Sequence, residues 1–148
     1  MAAGGERIVA TLGRPGGGAF SNADEIAAQL QARAARMLPS AVSVVRHYAM
    51  LLETQIKANA SGRPGPNAPT GDYRRSWTHE VHVTGEAVTA IVGTAKPQGF
   101  RLEFGYVGPD SLGRVYQQPP YAHVGPAVET ISPLFTAAIG RIADGNPA

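Results

Sequence analysis

The sequence predicts an α+β domain in which a small antiparallel sheet of three to four strands packs against a long, Pro-interrupted helix and a C-terminal helix. Three observations carry that prediction. Apolar residues recur three or four apart over 22–60 and again over 126–144, the period of a helix with one covered face. Over 76–107 they alternate instead, as in strands. The 18 Gly and 12 Pro gather between these stretches and separate them.

Residues 7–12 set Ile8, Ala10 and Leu12 against Val9 and Thr11 and read as a strand. The Arg14-Pro15-Gly16-Gly17-Gly18 run that follows lacks the Gly-Lys-Ser/Thr ending of a phosphate loop, so it reads as a connector. Ser21 and Asn22, followed by Asp24 and Glu25, supply a capping box for a helix over 22–60. Pro39 removes a backbone donor and crowds the preceding turn, so two helical segments are expected to meet near Leu38. In the second segment Val45, Ala49, Leu52 and Ile56 lie beside Val44, Tyr48 and Leu51. That stripe is wider than the roughly 100° of a simple surface helix and is expected to face both the sheet and a second element. Glu53 and Lys57, one turn apart in the favourable order, are expected to steady the helix face.

Gly62, Pro64, Gly65, Pro66 and Pro69 make 61–70 a loop or an arm. Beyond it, within 76–107, a first strand places Trp77, His79, Val81 and Val83 on one face and Thr78, Glu80 and His82 on the other. A reversal at Thr84-Gly85-Glu86 leads into a second strand over 87–94. A third is expected over 100–107, where Phe100, Leu102 and Phe104 alternate with Arg101 and Glu103. Residues 108–120 read as a long irregular loop whose Tyr116, with Tyr121 just after it, favours contact. The last helix, 126–144, opens on Pro126, carries Ala127, Ile131, Leu134, Ala138 and Ile142 as its stripe, and is expected to bend at Pro133.

The 148 residues suit one domain, which can bury about two thirds of its unfolded surface. A net charge of +2, from 13 Lys and Arg against 11 Asp and Glu, does not by itself imply nucleic acid. The absence of cysteine excludes disulfides and thiolate chemistry. No apolar run reaches 18 residues and residues 1–7 lack a signal pattern, so a soluble protein used without export and without a membrane is expected. His79 and His82 fall on opposite strand faces while His47 and His123 lie in distant segments, so no metal site is expected. Ser76 near His79 lacks an orienting acid and oxyanion donors; no catalytic residue and no cofactor are expected.

Three segments occur in a telling order: Thr70-Gly71-Asp72-Tyr73-Arg74-Arg75-Ser76-Trp77, Arg101-Leu102-Glu103-Phe104-Gly105, and Pro120-Tyr121-Ala122-His123-Val124-Gly125-Pro126-Ala127-Val128-Glu129. With the opening strand, the long helix and the final helix, they resemble the gene-product-ten-like head-to-tail joining or tail-completion proteins of long-tailed bacteriophages. The resemblance implies a structural virion subunit of the phage neck, assembled in the host cytoplasm. It would form a homo-oligomeric ring between the head connector and the tail tube, with no catalytic residue to carry over. Contacts with neighbouring connector and tail-tube proteins would use Arg and aromatic anchors, here Arg63, Arg74, Arg75, Glu103, Tyr106, Tyr116 and Tyr121. Two readings of Arg74 and Arg75 stand side by side: a bridge to Glu103 within or between subunits, or solvated turn residues. Trp77 is assigned to the core, because its strand face also holds Val81 and Val83. The alternative function is a small nucleic-acid-binding module whose surface combines Arg63, Arg74, Arg75 and Arg101 with aromatic rings. A ring could also place a few arginines against DNA in its channel without reading sequence.

Overall fold

The computed structural model describes residues 19–85 and 87–146. The strand expected over 7–12 lies outside those residues. Contacts divide the chain into two units at Ser40 and Ala41. In the first, the described residues belong to helix α1 (Ala19–Asn59). This helix starts before the expected cap, so Ser21 and Asn22 fall in its first turn. It also runs through Pro39 as one element, where two segments were expected. An interior proline costs about 3 kcal/mol. Against that, residues 27–38 are all Ala, Leu, Gln, Arg or Met, strong helix formers. The Ser40 hydroxyl also donates to the Arg36 carbonyl at 3.2 Å, occupying an acceptor beside the gap.

The second unit contains the remainder of α1, a single turn α2 (Asp72–Arg75), strands β1 (Thr78–Thr84) and β2 (Ala87–Gly93), helix α3 (Gln98–Phe104), strands β3 (Tyr106–Pro109) and β4 (Val115–Gln118), and helix α4 (Val124–Ala143). The α+β class stands, but the sheet is smaller than expected: among the described residues β1 pairs only with β2, and β3 only with β4, both antiparallel. In the first hairpin Thr84 faces Ala87, and Gly85 takes φ +58° in the two-residue turn, as tight hairpins require.

The third strand expected over 100–107 is helical through Phe104. Phe100 and Phe104 satisfy a period of two, but they are also one helical turn apart, and their ring centroids lie 4.9 Å from each other. Gly105 stops the helix at φ +79°, a conformation open to glycine. A Cβ there would come within 2.9 Å of the Gln118 carbonyl oxygen. The segment expected to be irregular over 108–120 holds the second hairpin. Its tip is fixed by Asp110, whose carboxylate accepts from the Leu112 and Arg114 amides, each at 2.9 Å, and from Arg114 Nε at 2.8 Å.

The core joins Ile56 and Ala60 at the end of α1 and just beyond it to Tyr73, Trp77 and Ala127, with Leu52, Val92, Leu102 and Val124 packed around them. Helix α4 begins two residues before Pro126, which sits in the first turn where its missing N–H leaves no bond unmade. Ala127, Ile131, Ala138 and Ile142 are buried as their spacing predicts, whereas Leu134 is exposed. The helix continues past Pro133 to Ala143. Among the described residues no helix is long and apolar enough to cross a membrane.

Candidate functional site

The three segments singled out in the sequence meet at His123, the one buried polar side chain among the described residues. His123 occupies the N-cap of α4 but makes no side-chain cap bond of its own. The cap comes from α3 instead: the Glu103 carboxylate accepts from the backbone N–H groups of His123, Val124 and Gly125 at 2.8, 2.9 and 2.8 Å. A helix start offers unpaired donors and partial positive charge, so a carboxylate is the apt partner. Burial opposes ionisation of Glu103, but those three N–H bonds and the neighbouring His123 outweigh it and hold the carboxyl below the ordinary glutamate range.

The His123 tautomer follows from its neighbours. Nδ1 lies 2.9 Å from the Tyr121 carbonyl oxygen and 3.1 Å from Glu103 Oε2, both acceptors, so it carries the proton. Nε2 shares a hydrogen bond of 2.7 Å with the Tyr73 hydroxyl. Burial raises the Tyr73 phenol above its ordinary value, so that hydroxyl keeps its proton. The Trp77 indole N–H is near enough to oppose the rise, yet it meets hydrogen-bond geometry with nothing. Tyr73, Trp77 and His123 pack edge to face, with centroids 5.6 to 6.2 Å apart. Asn59 Nδ2 donates to the His123 carbonyl at 3.0 Å, and the Tyr121 amide donates to the Leu102 carbonyl at 2.7 Å. The cluster thus ties the end of α1, α2, α3 and α4 together. Its carboxylate and imidazole are engaged within the chain, at a joint between those elements.

The sequence-selected interface residues divide around it. Glu103 belongs to the joint and bridges neither Arg74 nor Arg75 within the chain: Arg75 pairs with Asp72 at 2.6 Å, and Arg74 Nη1 donates to Ser61 Oγ at 3.2 Å. The Tyr121 ring lies under the Arg63 guanidinium, 3.8 Å from its carbon, and Tyr106 lies under Arg101 at 4.0 Å. The Tyr106 hydroxyl donates to the Pro109 carbonyl at 3.1 Å, while Tyr116 is exposed on β4. Trp77 is buried, as its strand face suggested, although it immediately precedes β1.

Ser76 and His79 do not meet. The serine bonds the Tyr73 carbonyl and Thr94 Oγ1, each at 2.6 Å, while His79 pairs with Glu53. Burial again opposes ionisation of Glu53, and its bonds to Lys57 and His79 more than reverse the effect. No group of three or more His, Cys, Asp and Glu side chains among the described residues is arranged to hold a metal ion. Sequence reasoning missed the roles of His123, Tyr73 and Glu103. No local pattern marks them, because Glu103 caps a helix that begins 21 residues later.

An open groove of about 440 Å³ runs between α1, β2 and α4, lined entirely by uncharged residues, among them Val45, Leu52, Val88, Val92, Val128 and Phe135. Compared with protein-family models, curated proteins and solved structures, the chain matches none.

Proposed function

We propose that the chain is a structural subunit of a phage neck, a head-to-tail joining or tail-completion protein that closes into a homo-oligomeric ring between head connector and tail tube. The observation that carries this reading is the apolar surface of α3 and the β3–β4 hairpin. Phe100 (73%), Phe104 (68%), Val107 (70%), Leu112 (73%) and Val115 (87%) are mostly exposed. Val107 and Val115 share one face of the hairpin, since Val107 stands opposite Gln117 and Pro109 opposite Val115. The other face carries Tyr106, which is covered by Arg101. Apolar side chains concentrated on neighbouring elements suit a surface that another subunit covers. The order of the three segments resembling phage joining proteins supports the same reading, and those segments build the joint from which α3 and the hairpin extend.

Native mass spectrometry over a range of protein concentrations, with electron microscopy of the largest species, tests the proposal. A closed ring is the expected result. A chain that stays monomeric at every concentration, and is absent from phage particles purified from cells that make it, overturns the reading.

A further inference from the structure

We infer that the surface formed by Arg63, Arg74 and Arg75 binds the phosphate backbone of duplex DNA without reading its sequence. The inference goes beyond the subunit reading and does not require it.

Arg63 and Arg74 are both tied to the loop after α1: Arg74 Nη1 donates to Ser61 Oγ at 3.2 Å, and Arg63 Nη1 donates to the Gly65 carbonyl at 3.2 Å. Arg75 joins them at Gly71, where a Cβ would sit 2.9 Å from Arg75 Nη1 and 3.4 Å from Arg74 Nη2. Asp72 neutralises Arg75. Among the described residues no carboxylate pairs with Arg63 or Arg74. Two guanidinium groups therefore stand without counter-charge on one stretch, and the stack of Arg63 on Tyr121 holds its fork in place before any ligand arrives.

The chemistry around them selects the partner. The loop and turn that carry these arginines, residues 61–75, contribute none of the exposed large apolar side chains that anchor protein interfaces. Fixed forks set among exposed Ser61, Asn67 and Thr70 instead match phosphate oxygens. Base stacking is not on offer: Tyr73 and Trp77 are buried, and Arg63 lies over the Tyr121 ring. A duplex presenting only its backbone fits what remains.

The test is fluorescence anisotropy of the full chain with a labelled 24-base-pair duplex between 50 and 200 mM salt. Two to three phosphate contacts predict a log–log salt slope of about −2 to −3, hence a loss of affinity of up to about fortyfold across that range. Two duplexes of unrelated sequence should bind alike. The double variant Arg63→Ala/Arg74→Ala should bind at least about tenfold more weakly at 50 mM salt and lose about 2 from the slope. Arg63→Lys/Arg74→Lys should recover at least half of that slope, which separates charge from folding. Arg114→Ala, which removes an exposed cation already paired with Asp110, should leave binding unchanged.

No binding at 50 mM salt, an unaffected alanine double variant, or a lysine variant as weak as the alanine one overturns the inference. So does equal loss in Arg114→Ala, or polyglutamate competing as well as DNA, which would indicate an acidic protein partner. Particle mass measured on the same samples keeps the two proposals apart. A ring that ignores DNA removes this inference alone, and DNA binding by a chain that stays monomeric and is absent from phage particles removes only the neck reading.

Discussion

Glu103 shows how one side chain can fix the relation of two helices. Its carboxylate satisfies three donors at the start of α4, so Glu103→Ala leaves them unpaired, two of them in a part-buried setting. The expected cost is about 2–3 kcal/mol, measured by urea unfolding. The same residue sets an acid dependence. Its carboxyl titrates lower in the folded chain than in the unfolded one, so the unfolded chain takes up the proton first as pH falls. The stabilisation is complete above the ordinary glutamate range and is lost below it, through the depressed folded value. Unfolding free energy should therefore fall more steeply with acid in the native protein than in Glu103→Gln. Tyr73→Phe removes the hydroxyl partner of His123 Nε2 and leaves a buried ring nitrogen unpaired. A loss of about 1–3 kcal/mol is expected in the same measurement.

At the scale of elements, propensity and packing pull in different directions at Pro39 and at Phe100. Helix α1 persists through Pro39 after a flank, residues 27–38, made of strong helix formers, so Pro39→Ala should restore a bond and relieve a clash. Slower amide exchange over residues 35–43, equivalent to about 1–3 kcal/mol, is the expected outcome. The segment from Phe100 to Phe104 was legible as an amphipathic element but not as a helix, because five residues fit both periods. Pro97 before it and Gly105 after it decided the matter. Replacing Phe100 and Phe104 by Ser should leave the melting temperature within a few degrees, since both are mostly exposed, yet weaken any self-association seen by native mass spectrometry.

For the whole molecule, the sequence by itself determined the α+β class, the helical character of α1 and α4, the β1–β2 hairpin with its turn at Gly85, and the burial of Trp77 and of most of the α4 stripe. Each of these follows from a periodicity or a turn signal within a short window, where local sterics and one covered face suffice. Only the tertiary structure decided that the strands form two separate pairs, that residues 106–118 hold a hairpin, and that Glu103 caps α4 while contacting neither Arg74 nor Arg75. It also brought His123 and Tyr73, fifty residues apart, within hydrogen-bond distance. These features depend on which distant groups meet after burial. A buried carboxylate takes whatever donors lie nearest in space, and a helix start accepts a cap from any part of the chain that reaches it.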